Sequence, residues 1–166
     1  MDKSIFAVDQ KVVYPSQGVG VIRAIEQRHF NDAEVSYYVV YIEESDMTIM
    51  APVHRAEELG IRATVSRDEA MSAIALLGEE FEPNPSDWKM RYQMNLDLLK
   101  KGSIHDIAKI VRSLYNRSKV KELPIQEKKL YDSAKNLLED ELSISLNKSR
   151  KDIADLIHKR LESLGE

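Results

Sequence analysis

Over its first 60 or so residues the chain offers four short segments suited to β-strands and no helix-length segment between them. From residue 66 onward it offers only helices. That switch leaves few architectures open. Lys11-Val-Val-Tyr14 alternates polar and apolar character, and Pro15-Ser-Gln-Gly18 supplies a turn, because proline fixes φ and glycine accepts the positive φ such turns need. Residues 19–25 and 35–42 are rich in β-branched and aromatic side chains, with Asn31-Asp-Ala-Glu34 as the turn between them. Glu44-Ser-Asp46 then leads into residues 47–53, where Pro52 suits the end of an edge strand that has no use for its missing N–H. Four closely spaced strands of this kind predict a small antiparallel barrel of the Tudor or SH3 type.

The helical half is punctuated by caps. Ser66-Arg-Asp-Glu69 is a capping box ahead of Ala70, Met71, Ala73, Ile74 and Leu77, and Gly78 stops that helix. Ser86 is the expected cap of a second helix that carries Trp88, Tyr92, Leu96 and Leu99 on one face and ends at Gly102. Ser103 caps a third, with Ile104, Ile107, Ala108, Val111 and Leu114 as its apolar stripe. Pro124 fits the first turn of a fourth, along which lie Leu130, Ala134, Leu137, Leu138 and then Glu141 or Leu142. A fifth covers residues 149–164 through Ile153, Leu156, Ile157 and Leu161. The expected fold is therefore α+β in two domains: an antiparallel β-barrel over residues 1–65 and an α-helical bundle over residues 66–166.

Several chemistries are disfavoured. The chain has no cysteine, so disulfides, thiolate nucleophiles and zinc ribbons are excluded together. The four histidines, His29, His54, His105 and His158, are scattered without metal-ligand spacing on one helix. Gly18-Val-Gly20 lies in a predicted hairpin and is followed by neither Lys-Ser/Thr nor a helix, so it is no phosphate loop. Glu43-Glu44 and Glu57-Glu58 are sequence neighbours expected in solvent, not a converging acid–base pair. No run of about 18 apolar residues and no secretory leader is seen, so a cytoplasmic protein away from membranes is expected. The reading is a binding protein with no catalytic residues, metal or cofactor.

Charge says where binding occurs. The net charge of −4 argues against a general nucleic-acid binder, but the distribution is uneven. Residues 1–65 carry 6 basic and 10 acidic side chains, and residues 66–85 carry 1 and 5. Residues 86–135 reverse the sign with 12 and 6, and residues 136–166 carry 5 and 7. An acidic front and a basic block imply two surfaces for two partners. The block opens at Trp88, the single tryptophan, in Ser86-Asp-Trp-Lys-Met-Arg-Tyr. A large aromatic at a helix start with cations around it suits a wedge between base steps, with Lys and Arg on the phosphates. The competing reading of Trp88 is a core anchor. No base-reading set of side chains is evident, so contact by shape and groove is expected, weak and salt-sensitive alone. Such a binder needs a tether, and an unpaired edge of the barrel is the natural one.

Lys11-Val-Val-Tyr-Pro-Ser-Gln-Gly-Val-Gly20, Met47-Thr-Ile-Met-Ala-Pro52 and Trp88-Lys-Met-Arg-Tyr92 together resemble the CarD/CdnL family of bacterial transcription regulators. The likeness extends to Ile107 through Leu114 and to Glu127-Lys-Lys-Leu, so it spans nearly the whole chain. The first block is shared with the polymerase-interacting module of transcription-repair coupling factors, but no helicase motif follows here. The resemblance implies a Tudor-like domain that binds the RNA polymerase β subunit through an edge strand. It also implies a helical domain that touches promoter DNA at the upstream edge of the bubble, in complexes of the housekeeping σ factor. The tryptophan matching Trp88 would wedge into the minor groove beside the −10 element and keep the bubble from collapsing. The matching polymerase-facing positions are Arg28, Val40, Met50 and Pro52. Some relatives carry arginine where this chain has Met50, and Val40 also suits a core strand position. The DNA-facing set is Trp88, Lys89 and Arg91, with Lys128 and Lys129 beyond. Many relatives have two consecutive arginines where this chain has Met90 and Arg91, so one cation is displaced to Lys89 and Arg91 is expected to be the main phosphate contact. Tyr92 is expected to pack the helix onto its neighbours. A monomer is expected.

From a different functional class comes a protein–protein adaptor that docks on polymerase without touching DNA. A methyl-lysine or RNA reader would need an aromatic cage, and Tyr37 and Tyr38 point to opposite sides of their strand, leaving too few aromatics on one face with Tyr41.

Overall fold

A computed structural model of the protein describes residues 5–79 and 85–163. The chain forms two compact units, Met1–Thr64 and Val65–Glu166. In the first unit the strands are β1 (Lys11–Tyr14), β2 (Gly18–Phe30), β3 (Ala33–Ile42), β4 (Met47–Pro52) and β5 (Arg62–Ala63). They form one antiparallel sheet in the order β4-β3-β2-β1-β5. Sequence patterning anticipates four of these strands. The fifth, two residues long, pairs Arg62 with Val13 and Ala63 with Val12. The turn between β2 and β3 is tighter than expected, with only Asn31 and Asp32 outside the ladder. Both sit at positive φ, 48° and 62°, the two-residue arrangement whose twist matches that of the strands it joins.

Alternation selects the core of this unit. Ile22, Tyr38, Val40, Ile42 and Ala51 are buried, packed with Phe6 and Val53. Tyr38 lies opposite Ala51, and Val40 opposite Ile49 and Ile22, so all five belong to the inner face. The Tyr38 hydroxyl accepts the backbone N–H groups of Ile5 at 2.7 Å and Phe6 at 3.2 Å, which ties the incoming segment to the sheet. Tyr38→Phe removes that acceptor while keeping the ring. It is expected to destabilise this unit by about 1–3 kcal/mol, measured by urea unfolding, because two donors lose their partner at once.

The second unit contains α1 (Arg67–Leu77), α2 (Trp88–Lys101), α3 (Ile104–Val120), α4 (Ile125–Ser145) and α5 (Arg150–Glu162). The most amphipathic helix, α3, packs against α1, α2 and α4 and buries Ile107, Ile110, Val111 and Leu114. Leu138 and Leu142 of α4 and Ile153 and Ile157 of α5 complete the core. The Ser66 capping box forms, with the Glu69 N–H donating to Ser66 Oγ at 3.2 Å. Gly102 ends α2 in the left-handed conformation at φ 77°. The cap of α2 is Asp87 instead of Ser86: its carboxylate accepts the Lys89 N–H at 3.1 Å. An aspartate at that site satisfies an orphan donor and places its charge at the positive end of the helix.

Candidate nucleic-acid and protein interfaces

Trp88 is the first residue of α2, directly after the Asp87 cap. It is half-buried. Among the described residues it belongs neither to the buried bundle core nor to the partly buried side chains packed against that core. The expected face of α2 is therefore rotated. Its buried line runs Arg91, Asn95, Leu99, with Tyr92 and Leu96 packed beside it and Trp88 left at the margin. Tyr92 takes the packing role expected of it.

Arg91 occupies an unexpected place. Its side chain is 3% exposed and faces Glu127 of α4, which is fully buried. Nε donates to Glu127 Oε2 at 2.8 Å and Nη2 to Oε1 at 2.5 Å, a two-pronged pair. The Nη1 group donates to the carbonyls of Pro85 at 3.0 Å and Ser86 at 3.4 Å. These contacts join the first turns of α2 and α4 and the chain entering α2. Arg91 is thus not a phosphate contact here, because its donors are spent inside the domain and water and phosphate are excluded from it.

In the sheet unit, cross-strand pairing sorts the expected partner-facing residues. Direct partners share a face. Pro52 lies opposite Tyr37 and Tyr37 opposite Glu26; Met50 lies opposite Val39 and Val39 opposite Ala24; Arg28 lies opposite Val35. These residues are half-buried or exposed and form the outer face. Val40 belongs to the other face and is fully buried. Arg28, Met50 and Pro52 therefore share one surface, and Val40 is withdrawn from it as a core residue.

Two family models match the chain. The model described as "CarD-like/TRCF RID domain" covers residues 6–65, and "CarD, C-terminal domain" covers residues 72–158. The chain belongs to the CarD/CdnL family. A protein of Bacillus subtilis (strain 168), YdeB, whose name assigns it provisionally to transcription factors, is 33% identical over 165 residues, covering 97% of this chain and all of that protein. Membership places the chain among transcription-associated, RNA polymerase-interacting regulators, a family of transcription-factor type.

Other cations of this CarD-family chain divide by environment. Lys89 and Lys129 are exposed. Lys128 is half-exposed and donates to Glu122 at 2.7 Å, a hydrogen bond that, with the ammonium charge, holds the Glu122 carboxyl below its ordinary pKa. Arg112 of the basic block donates to the Leu76 carbonyl at 3.2 Å, and burial lowers its pKa against the charge of Glu79. The basic block of this chain is consequently less available to phosphate than its sequence charge suggests. Sequence reasoning also missed Ile125, the first residue of α4 and 71% exposed, two positions from Glu127. An apolar residue directly after a proline reads as the buried start of a stripe, and only the packing reveals it outside. Among the described residues no group of three or more His, Asp or Glu could hold a metal ion, and no helix is long and apolar enough to cross a membrane. Tyr37 and Tyr38 do lie on opposite faces, Tyr38 in the core.

Proposed function

We propose that this protein binds the RNA polymerase β subunit through the outer face and free β4 edge of its sheet domain. Arg28, Met50 and Pro52 contribute to that contact. The helical domain then sets Trp88 into the minor groove at the upstream edge of the promoter bubble, beside the −10 element, in complexes of the housekeeping σ factor. Lys89, Lys128 and Lys129 hold phosphates around it. A wedge prolongs the open state only by its preference for open over closed DNA. The observation that carries this reading is Trp88 itself: a large aromatic at a helix start, half-exposed and outside the bundle core. Tryptophan placed there for stability would be packed inward.

The test compares the dissociation half-life of polymerase–promoter open complexes without protein, with the wild type and with Trp88→Ala. The wild type is expected to lengthen it and the variant to lose that gain while folding normally. Base–aromatic stacking is worth about 1–3 kcal/mol, so the lost gain corresponds to roughly five- to 150-fold in lifetime. Equal lengthening by both proteins would remove the wedge. No lengthening by either, with polymerase binding intact, would leave a docking adaptor that does not act on DNA.

A further inference from the structure

The buried Arg91–Glu127 pair asks for an explanation beyond stability. An apolar pair of similar volume usually serves a helical core as well or better, because two buried ions must first lose their hydration. What the apolar pair cannot supply is the rest of the guanidinium fork. While Nε and Nη2 engage Glu127 on α4, Nη1 reaches the carbonyls of Pro85 and Ser86, the two residues before the Asp87 cap. One planar group therefore fixes α4, the first turn of α2 and the segment that leads into it. Trp88 stands between the two parts of α2's entry that Arg91 holds, and the bundle core does not grip it. A helix start frays readily when its approach is free.

We propose that Arg91, anchored by Glu127, is the positioning residue for Trp88: it presents the indole in one orientation before DNA arrives, so that ordering is not paid for on binding. This rests on Trp88 acting as the wedge. The fork, not the charge, does the positioning. Lysine would keep the pairing with Glu127 but has no rigid second arm for the carbonyls of residues 85 and 86.

Two variants of the full chain separate these roles: Arg91→Lys and the apolar double substitution Arg91→Met/Glu127→Leu. Trp88 is the single tryptophan, so intrinsic fluorescence reports it directly. In both variants the far-UV circular dichroism is expected to stay native-like. The Trp88 emission shifts to the red, its anisotropy falls and acrylamide quenches it faster. Open-complex lifetime drops to that given by Trp88→Ala. Should Arg91→Lys fail to fold, the double variant decides alone. Wild-type emission and anisotropy in the folded variants would overturn the proposal, and so would a mobile Trp88 with an undiminished open-complex lifetime. If the wild type itself does not prolong open complexes, the wedge reading fails, while the fluorescence still decides whether Arg91 orders Trp88.

Discussion

Replacing Glu127 with alanine is expected to destabilise the helical domain by about 3–5 kcal/mol, the penalty for stranding a buried charge. The guanidinium of Arg91, 3% exposed, would lose both oxygens it pairs with and could not reach water without moving α2. A typical domain has only about 5–15 kcal/mol in total, so this variant should lie near its unfolding transition at room temperature. Urea unfolding followed by circular dichroism measures it. The double substitution Arg91→Met/Glu127→Leu, made in the same protein, is expected within about 1 kcal/mol of wild type or above it, since removing both ions also removes their desolvation cost. A loss in the double variant equal to that of Glu127→Ala would mean that the fork itself is required for packing.

Gly20→Ala is the second large effect expected, in the sheet domain. A Cβ at Gly20 would meet Val40 Cγ1 at 2.7 Å, Ile42 Cδ1 at 2.8 Å and the Tyr41 carbonyl oxygen at 3.0 Å. Val40 and Ile42 are fully buried and have no free space to retreat into. Overfilling a close-packed site costs about 1–3 kcal/mol. Relieving glycine's entropy in a strand regains about 0.5–1 kcal/mol, so the clash prevails. Thermal unfolding of this variant should show the sheet transition lowered and the helical one unchanged. An unchanged sheet transition would mean that β2 and β3 can separate locally without loss.

Much of the architecture was legible because it is written locally. Ser66 with Glu69, Pro124, and Gly102 mark helix ends through backbone groups they satisfy or conformations they permit, and those marks need no tertiary context. The missed features depend on partners distant in sequence. β5 exists because β1 offers it an edge, and nothing in Arg62-Ala63 alone asks for a strand. β2 runs through Glu26, Gln27, Arg28 and His29 to Phe30 because β3 pairs with each of them; their polarity hides the strand from any hydrophobic pattern. Arg91 was misplaced for a similar reason, since a charge in a basic block reads as surface. A signal was present on the other helix. Glu127, Leu130, Ala134 and Leu138 follow one helical stripe, and an acid in line with three apolar residues points to a buried cation elsewhere. Asn95 and Leu99, four and eight residues beyond Arg91, gave the same face on α2.

The sheet also has unequal ends. β5 is too short to template another strand, whereas β4 presents six residues along its open side. Among the described residues β2 has an open side as well, because β1 covers it only from Gly18 to Val21 while β3 pairs with it as far as Phe30, so β4 is one of two places where a strand could be added. At the β4 edge recruitment by strand addition is held to one partner for each chain, and a second copy of this protein would compete for the same backbone groups. Self-association through that edge and engagement of a partner there are mutually exclusive, so the pool available for docking is the pool that remains unpaired.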